Sequence, residues 1–562
     1  MRRALLAAVA VALIAPSAAE ADRYAVGVAS GASLTELAGE INADPASTVT
    51  SGDPALRALF VDGASAQELR RFPGVSYVER LDAPRAARRL AFVPNDPLYN
   101  RQWYLAQIQA FDAWPDLPSL AGPTVAVLDS GIDGGHPEFK GRIVAARSFI
   151  GGSAYEDRRG HGTFVAGEIA AATGNGVGIS GIAFPAQLLI AKIARSDGSI
   201  PLEAEARALR WAADRGAKVI NLSLAGVRDP FKLQEDTYSP LEASAVAYAR
   251  RHGALVVAAV GNSDQAPHSP WNFAGYPAAL PHVLGVSAIS RVGSVPEFSN
   301  RDMIYNDVTA PGDDIYSTLP RGMQGTKASC GNVGYSDCGP SEFRHAAGTS
   351  FAAPLVTGAA ALLFAVKPSL TPDQVEYVLE RSAQDMGPAS GCHACSGGRD
   401  RLTGWGRLSV DTAVGRVLAG VMPRPDHYES NDNAAGAAWP LKWRRGTLTA
   451  TLDFWDDQSD VYRIKLRRGQ RFRAMLRGPA RSSVGLLLWK PGTRTVLGPV
   501  GKGRRLAARS TSPGSRQQIS AYRVRKAGQY YLEVRITAPG SGAYSLSISK
   551  TSGRKPKPKP AL

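Results

Sequence analysis

Cysteine is scarce: the 562 residues include four, Cys330, Cys338, Cys392 and Cys395. An even count in an exported chain suits disulfides. Proximity favours Cys330–Cys338 and Cys392–Cys395, although three pairings are open. The segment Cys392-His393-Ala394-Cys395 has no second CxxC or histidine pair near it, which argues against zinc. Long apolar runs are also scarce. Residues 4–15 fall short of the ~20 apolar residues that a bilayer span needs. Residues 351–366 are rich in Ala, with Gly358 and Pro354, and read as a buried helix, so no membrane span is expected. Acidic residues are sparse in one region. Residues 441–562 hold 27 basic and 5 acidic residues, a net +22, whereas residues 1–440 carry −6. The formal charge of +16 therefore describes the last quarter of the chain, where it invites an anionic surface or nucleic acid as partner. With 44% hydrophobic and 20% charged residues, wholesale disorder is excluded and a sizeable core can form.

What is present begins with an export layout. Met1-Arg2-Arg3 precedes the first apolar run, and small residues with A-x-A-like cleavage sites follow it. Residues 1–21 are therefore expected to be a secretory signal peptide. Residues 22–90 form a small unit. Strands at 24–29, 58–61 and 75–79 and short helices at 34–41 and 66–71 are predicted, an α+β order of ferredoxin-like type. The basic linker Arg85-Ala86-Ala87-Arg88-Arg89 offers a processing site. From 91 to 420, buried strand-like runs (124–128, 188–193, 218–222, 254–260, 283–287) alternate with helical stretches such as 202–215 and 241–251. That alternation predicts an α/β unit with a mostly parallel sheet. After Pro423-Arg424-Pro425, short alternating segments (460–466, 471–476, 484–489, 529–536, 544–548) predict an all-β sandwich over 424–550. Residues 551–562 read as a basic Pro-rich tail.

Four segments of the α/β region carry chemistry. Val125-Ala126-Val127-Leu128-Asp129-Ser130-Gly131-Ile132-Asp133 delivers Asp129 at the carboxyl end of a strand, where open α/β sheets place their sites. Gly160-His161-Gly162-Thr163 starts a small-residue helix with His161. Gly348-Thr349-Ser350 starts the long buried helix, whose free N–H groups favour a developing negative charge beside Ser350. Val260-Gly261-Asn262 ends a buried strand in an amide donor. A serine hydroxyl needs a base, and an imidazole base needs a carboxylate that fixes its tautomer and stabilises its cation. These roles fall on Ser350, His161 and Asp129, with Asn262 and the Ser350 N–H stabilising a tetrahedral oxyanion. Taken singly, each residue is an ordinary cap or turn residue; the four together point to acyl transfer.

These motifs, D-S-G-I-D, H-G-T-x-V-A-G, G-N and G-T-S-x-A-x-P, resemble those of subtilisin-like serine peptidases, over about residues 95 to 415. The resemblance implies a secreted endopeptidase that works through an acyl-enzyme on protein or peptide substrates and needs no cofactor for its chemistry. It implies that Ser223, Leu224, Ala225 and Gly226 pair with the substrate backbone and wall the primary pocket. It also implies that Gly275 floors that pocket and leaves room for a large side chain. Phe164 stands where relatives often carry a second histidine, and Ala225 where glycine is common, so a subsite is expected to narrow there. The stretch 324–343 resembles an insertion. Gly74-Val75-Ser76-Tyr77-Val78-Glu79 resembles the last strand of an inhibitory propeptide, which makes 22–90 the enzyme's own inhibitor until it is cut near 84–93. Glu138 and Asn175 align with a structural calcium site of relatives. Residues 424–550 resemble the pre-peptidase C-terminal β-sandwich, in which Asp456, Asp457 and Asp460 either bind calcium or cap turns. A competing reading makes the chain a binding protein anchored through its basic region, with an inert peptidase fold; the intact set of four residues argues against inertness. A serine peptidase with a Glu-Asp base pair is disfavoured, since it would not need His161.

Overall fold

Seven parallel strands form one sheet, in the order Val308–Pro311, Val283–Ile289, Leu255–Ala259, Val219–Leu222, Thr124–Asp129, Gln187–Lys192, Ile143–Ser148. The structure is a computed structural model and describes residues 23–81 and 91–551, apart from 46, 64, 233, 324–341, 424, 425, 430, 456, 481 and 497–504. The expected signal peptide, the basic linker, Cys330 and Cys338, most of the expected insertion, Asp456 and the Pro-rich tail lie outside the described residues.

The inner strands are apolar along their whole length because both faces are covered, the usual state of a parallel sheet. Helix Thr349–Val366 lies almost wholly within the core of one face. Helices Leu202–Asp214 and Pro240–Arg251 cover the other. Among the described residues, Thr349–Val366 is the one helix long and apolar enough to cross a membrane, and 89% of it is buried. Two strands of this sheet escape the sequence reading. Ile143–Ser148 is a half-exposed edge without an apolar run, and Val308–Pro311 is a four-residue edge ending in proline.

The segment before residue 90 is a separate unit with the order β-α-β-β-α-β. Its antiparallel sheet runs Thr48–Asp53, Ala58–Asp62, Arg23–Val28, Val75–Arg80. Thr48–Asp53 reads as a loop in the sequence because it is a polar, largely exposed edge. The C-terminal region is two antiparallel-dominated sheets closed face to face on one core. One contains Ser459–Leu466, Gly528–Ile536 and Val484–Trp489 with edges Trp439–Leu441 and Leu506–Ser510. The other runs Arg445–Asp453, Ser541–Thr551, Arg471–Arg477, Arg516–Arg523. The α/β sheet, the small α+β unit and the all-β sandwich therefore match the fold class expected from the sequence.

Candidate active site

Asp129 is the last residue of Thr124–Asp129, the strand from which the chain winds first toward one edge of the sheet and then toward the other. Open α/β sheets bind ligands at such a reversal. Both Asp129 carboxylate oxygens lie 2.9 Å from His161 Nδ1, and Oδ1 also accepts from the Ser130 N–H at 2.7 Å. His161 opens helix His161–Ala170. The helix meets the Asp129 segment closely: a Cβ on Gly162 would sit 2.2 Å from the Gly131 carbonyl oxygen, so glycine is required there. Burial disfavours the His161 cation, but the Asp129 charge and hydrogen bond outweigh it, holding the imidazole above its ordinary pKa. Behind it, Phe351 packs on His161 and on the fully buried Phe164. Phe164 thus serves as packing where a second histidine is common.

Ser350 lies in the first turn of Thr349–Val366. Its hydroxyl donates to the Ser223 carbonyl at 3.1 Å, and Ser223 Oγ donates back to the Ser350 carbonyl at 2.7 Å. The Ser350 hydroxyl is thus turned to Ser223 rather than to His161, as is common in ligand-free sites whose catalytic bonds tighten only around substrate. Asn262 follows strand Leu255–Ala259. Its Oδ1 accepts from Thr349 N at 3.0 Å and Thr349 Oγ1 at 2.9 Å. That leaves Nδ2 as the outward donor. Asp129, His161, Ser350, Asn262, Ser223, Leu224 and Ala225 line one cleft of about 170 Å³.

Next to Leu224 and Ala225 of the cleft, Gly226 and Tyr276 form an antiparallel pair; Gly226 and Gly275 themselves do not line the cleft. Gly226 N donates to Tyr276 O at 2.7 Å, and Tyr276 N to Gly226 O at 3.1 Å. A Cβ on Gly275 would lie 2.2 Å from the Gly226 carbonyl oxygen and 3.0 Å from the Ala225 methyl. Glycine at 275 is therefore demanded by the close approach of the two segments. The Ala225 methyl sits between the bare faces of Gly261 and Gly275.

Sequence reasoning missed Asp157. This fully buried carboxylate accepts from Ser130 Oγ at 2.8 Å, Gly160 N at 2.8 Å, Thr163 N at 2.8 Å and Thr163 Oγ1 at 2.7 Å. It ties the Asp129 strand to the first turn of the His161 helix. The available signal was Asp157 itself, an acid just ahead of a helix start whose N–H groups need acceptors. Burial raises the carboxyl against these hydrogen bonds.

The calcium expectation at Glu138 and Asn175 meets a site built from N–H donors. Glu138 Oε1 accepts from Ile179 N at 2.7 Å, and Asn175 Oδ1 from Val177 N at 2.8 Å. The neighbouring Asp96 takes Gly174 N, Asn175 N, Gly176 N and Ser180 Oγ. Burial pushes the Glu138 carboxyl up to about 8, and Oε2 is its one unpartnered oxygen. This set fits a cation poorly. A better oxygen cluster lies at the base of the sandwich. Ligand atoms of His282, Glu429, Asp432 and Asp457 fall within 4.8 Å of one another, as do those of Asp426, Glu429 and Asp460. Both oxygens of Glu429 and one each of Asp457 and Asp460 have no hydrogen-bond partner, while one oxygen of Asp432 meets His282 Nε2 at 2.6 Å. Tyr544 and Tyr462 donate to the other oxygen of Asp460. Burial, then mutual repulsion, pushes Glu429, Asp457 and Asp460 well above the carboxylate range. Such a buried, oxygen-rich set suits calcium. Cys392 and Cys395 form a disulfide, which removes them as zinc ligands.

Residues 121–406, half of the chain, match the subtilase family, Peptidase S8. Thermitase of Thermoactinomyces vulgaris is 35% identical over 275 residues, which is 48% of this chain and 85% of thermitase. Subtilisin E of Bacillus subtilis (strain 168) is 32% identical over 332 residues, 59% of this chain and 76% of that protein. The solved structure of a protease from Pseudoalteromonas arctica covers 58% of this chain and 100% of its own, at 27% identity and a TM-score of 0.46.

Proposed function

Because the chain belongs to the subtilase family and is a serine endopeptidase, we propose that Ser350 is its nucleophile, His161 its general base and acid, and Asp129 the group that orients and stabilises the imidazole. Ser350 Oγ gives its proton to His161 Nε2 as it attacks the scissile carbonyl carbon. The resulting oxyanion is held by Asn262 Nδ2 and the Ser350 N–H. Collapse of the tetrahedral species expels the amine, which takes the proton from His161, and water then releases the acid by the same path reversed. No cofactor takes part. The observation that carries this reading is the Asp129–His161 contact in one cleft with Ser350 and an Asn262 amide whose oxygen is already occupied. Ser223 to Gly226 pair with the substrate backbone, and Gly275 keeps that wall in register.

The enzyme is exported as a zymogen. Residues 1–21 direct export, 22–90 inhibit until cut, 91–420 cleave, and 424–550 with the tail 551–562 hold the enzyme at an anionic surface. Support comes from the signal-like start, the basic linker and the +22 of residues 441–562. A structural calcium is assigned to the cluster of His282, Glu429, Asp432 and Asp457. N-terminal sequencing of the protein recovered from culture medium, paired with a casein assay, tests the proposal. A new N-terminus within 84–93 and casein cleavage are expected. An active protein that still begins near residue 22 would remove the zymogen reading.

A further inference from the structure

The outward face of one sandwich sheet takes no part in catalysis or in the carboxylate cluster. Strand Arg471–Arg477 alternates strictly: Phe472, Ala474 and Leu476 enter the core, and Arg471, Arg473 and Arg477 face out. On the next strand, Arg523 stands opposite Arg471, and Arg516 stands opposite Arg477. On the other side Ser549 separates Arg473 from Arg445. All six arginines are exposed, and none forms an ion pair among the described residues.

Like charges directly opposite one another across a sheet are destabilising. Two such oppositions occur in one sheet, and among the described residues no acid pairs with them. Asp453, at the far end of the edge strand, is paired with Arg381 instead. Folding alone does not explain that cost. The rest of the face is hydroxyl-rich: Thr447 pairs with Ser547, and Thr449 with Ser545. By strand geometry Arg471 and Arg473 stand roughly 7 Å apart, Arg473 and Arg477 roughly 14 Å, the opposed pairs roughly 5 Å, and Arg445 roughly 10 Å from Arg473. That makes a cationic face with hydrogen-bonding hydroxyls between several of the charges.

We propose that this face binds an acidic polysaccharide, a sugar chain bearing carboxylate, sulfate or phosphate groups, and that the peptidase is held there. The inference rests on the anionic-surface reading above and assigns it to one face and one class of polymer. Charge complementarity supplies the attraction, and the hydroxyl rows suit sugar hydroxyls. Single-stranded nucleic acid is disfavoured, because binding it needs aromatic platforms for the bases. Met475 is the one large apolar side chain exposed on this strand.

The test uses the full chain on dextran sulfate resin across a salt series. An Arg473→Ser/Arg477→Ser/Arg516→Ser variant removes three charges from the face. A Lys465→Ser/Arg467→Ser/Arg468→Ser variant removes three from elsewhere in the sandwich. The face variant should elute at lower salt, and its slope of log affinity against log salt should fall by about three, one for each arginine replaced. Its melting temperature should stay level or rise, showing an intact fold relieved of the Arg477–Arg516 opposition. The control should keep most of the slope. Elution of the face variant with wild type, or equal shifts in both variants, would overturn the assignment to this face. Displacement of the protein by an oligonucleotide more readily than by dextran sulfate of matched charge would overturn the polymer class. Failure of the wild type to bind at low salt would instead remove the anionic-surface reading itself.

Discussion

Asn262 has one amide orientation that satisfies its surroundings. With Oδ1 taken by both donors of Thr349, Nδ2 faces the cleft without any reorganisation when an oxyanion forms. A preorganised donor of this kind is worth about 3 kcal/mol in the transition state. Asn262→Ala should therefore lower kcat by roughly a hundredfold or more and leave KM nearly unchanged, as steady-state kinetics on a peptide substrate would record. The pH dependence follows from His161. Catalysis needs the neutral imidazole, and Asp129 holds its pKa above the usual value of about 6.5 despite burial. Activity should rise with pH through that raised value. Asp129→Asn removes the attraction and leaves burial, so the acid limb should move to lower pH while kcat falls. The residues proposed as nucleophile, base, orienter and amide donor stand out in the sequence because each sits in a short motif whose glycines also fix its backbone. Asp157 was not, because its partners are the N–H groups of a turn, and nothing in a sequence marks which acid will accept them.

At the scale of elements, the helix that begins at His161 depends on Asp157 for the acceptors its first turn lacks. The same carboxylate anchors Ser130 beside Asp129. Asp157→Asn keeps one acceptor oxygen and turns the other into a donor facing N–H groups. Leaving buried donors unmatched costs on the order of 1–3 kcal/mol each. The variant should melt at a lower temperature, and below its melting point its kcat should fall while KM changes little, because the base is displaced from Ser350. A drop in stability with unaltered kcat would make Asp157 purely structural. The inner parallel strands and the long apolar helix were readable as elements because they are uniformly apolar. The edges were lost where exposure erases that pattern, as at Thr48–Asp53, Ile143–Ser148 and Arg516–Arg523.

For the whole molecule, charge and cation sites are distributed unevenly. The cleft region is mildly acidic and the C-terminal region strongly basic, yet the sandwich buries a knot of carboxylates against His282 of the α/β region, whose Nε2 lies 2.6 Å from Asp432. Chelator should lower the melting temperature of the full chain, and added calcium should restore it. Asp457→Asn should abolish that response and Glu138→Gln should preserve it, since the Glu138 loop offers mainly N–H donors. Protons compete for the same buried carboxylates, so the calcium response should strengthen as pH rises. In the sequence Asp457 and Asp460 read as turn caps ahead of calcium ligands; only the packing of each against Glu429 brings calcium forward. In the proposed mechanism, catalysis turns on the Ser350 hydroxyl. Labelling the processed enzyme with a serine-directed phosphonate, followed by peptide mass mapping, should place a single adduct on Ser350 and none on the Ser350→Ala protein. An adduct elsewhere in the wild type, or labelling that persists in Ser350→Ala, would contradict it.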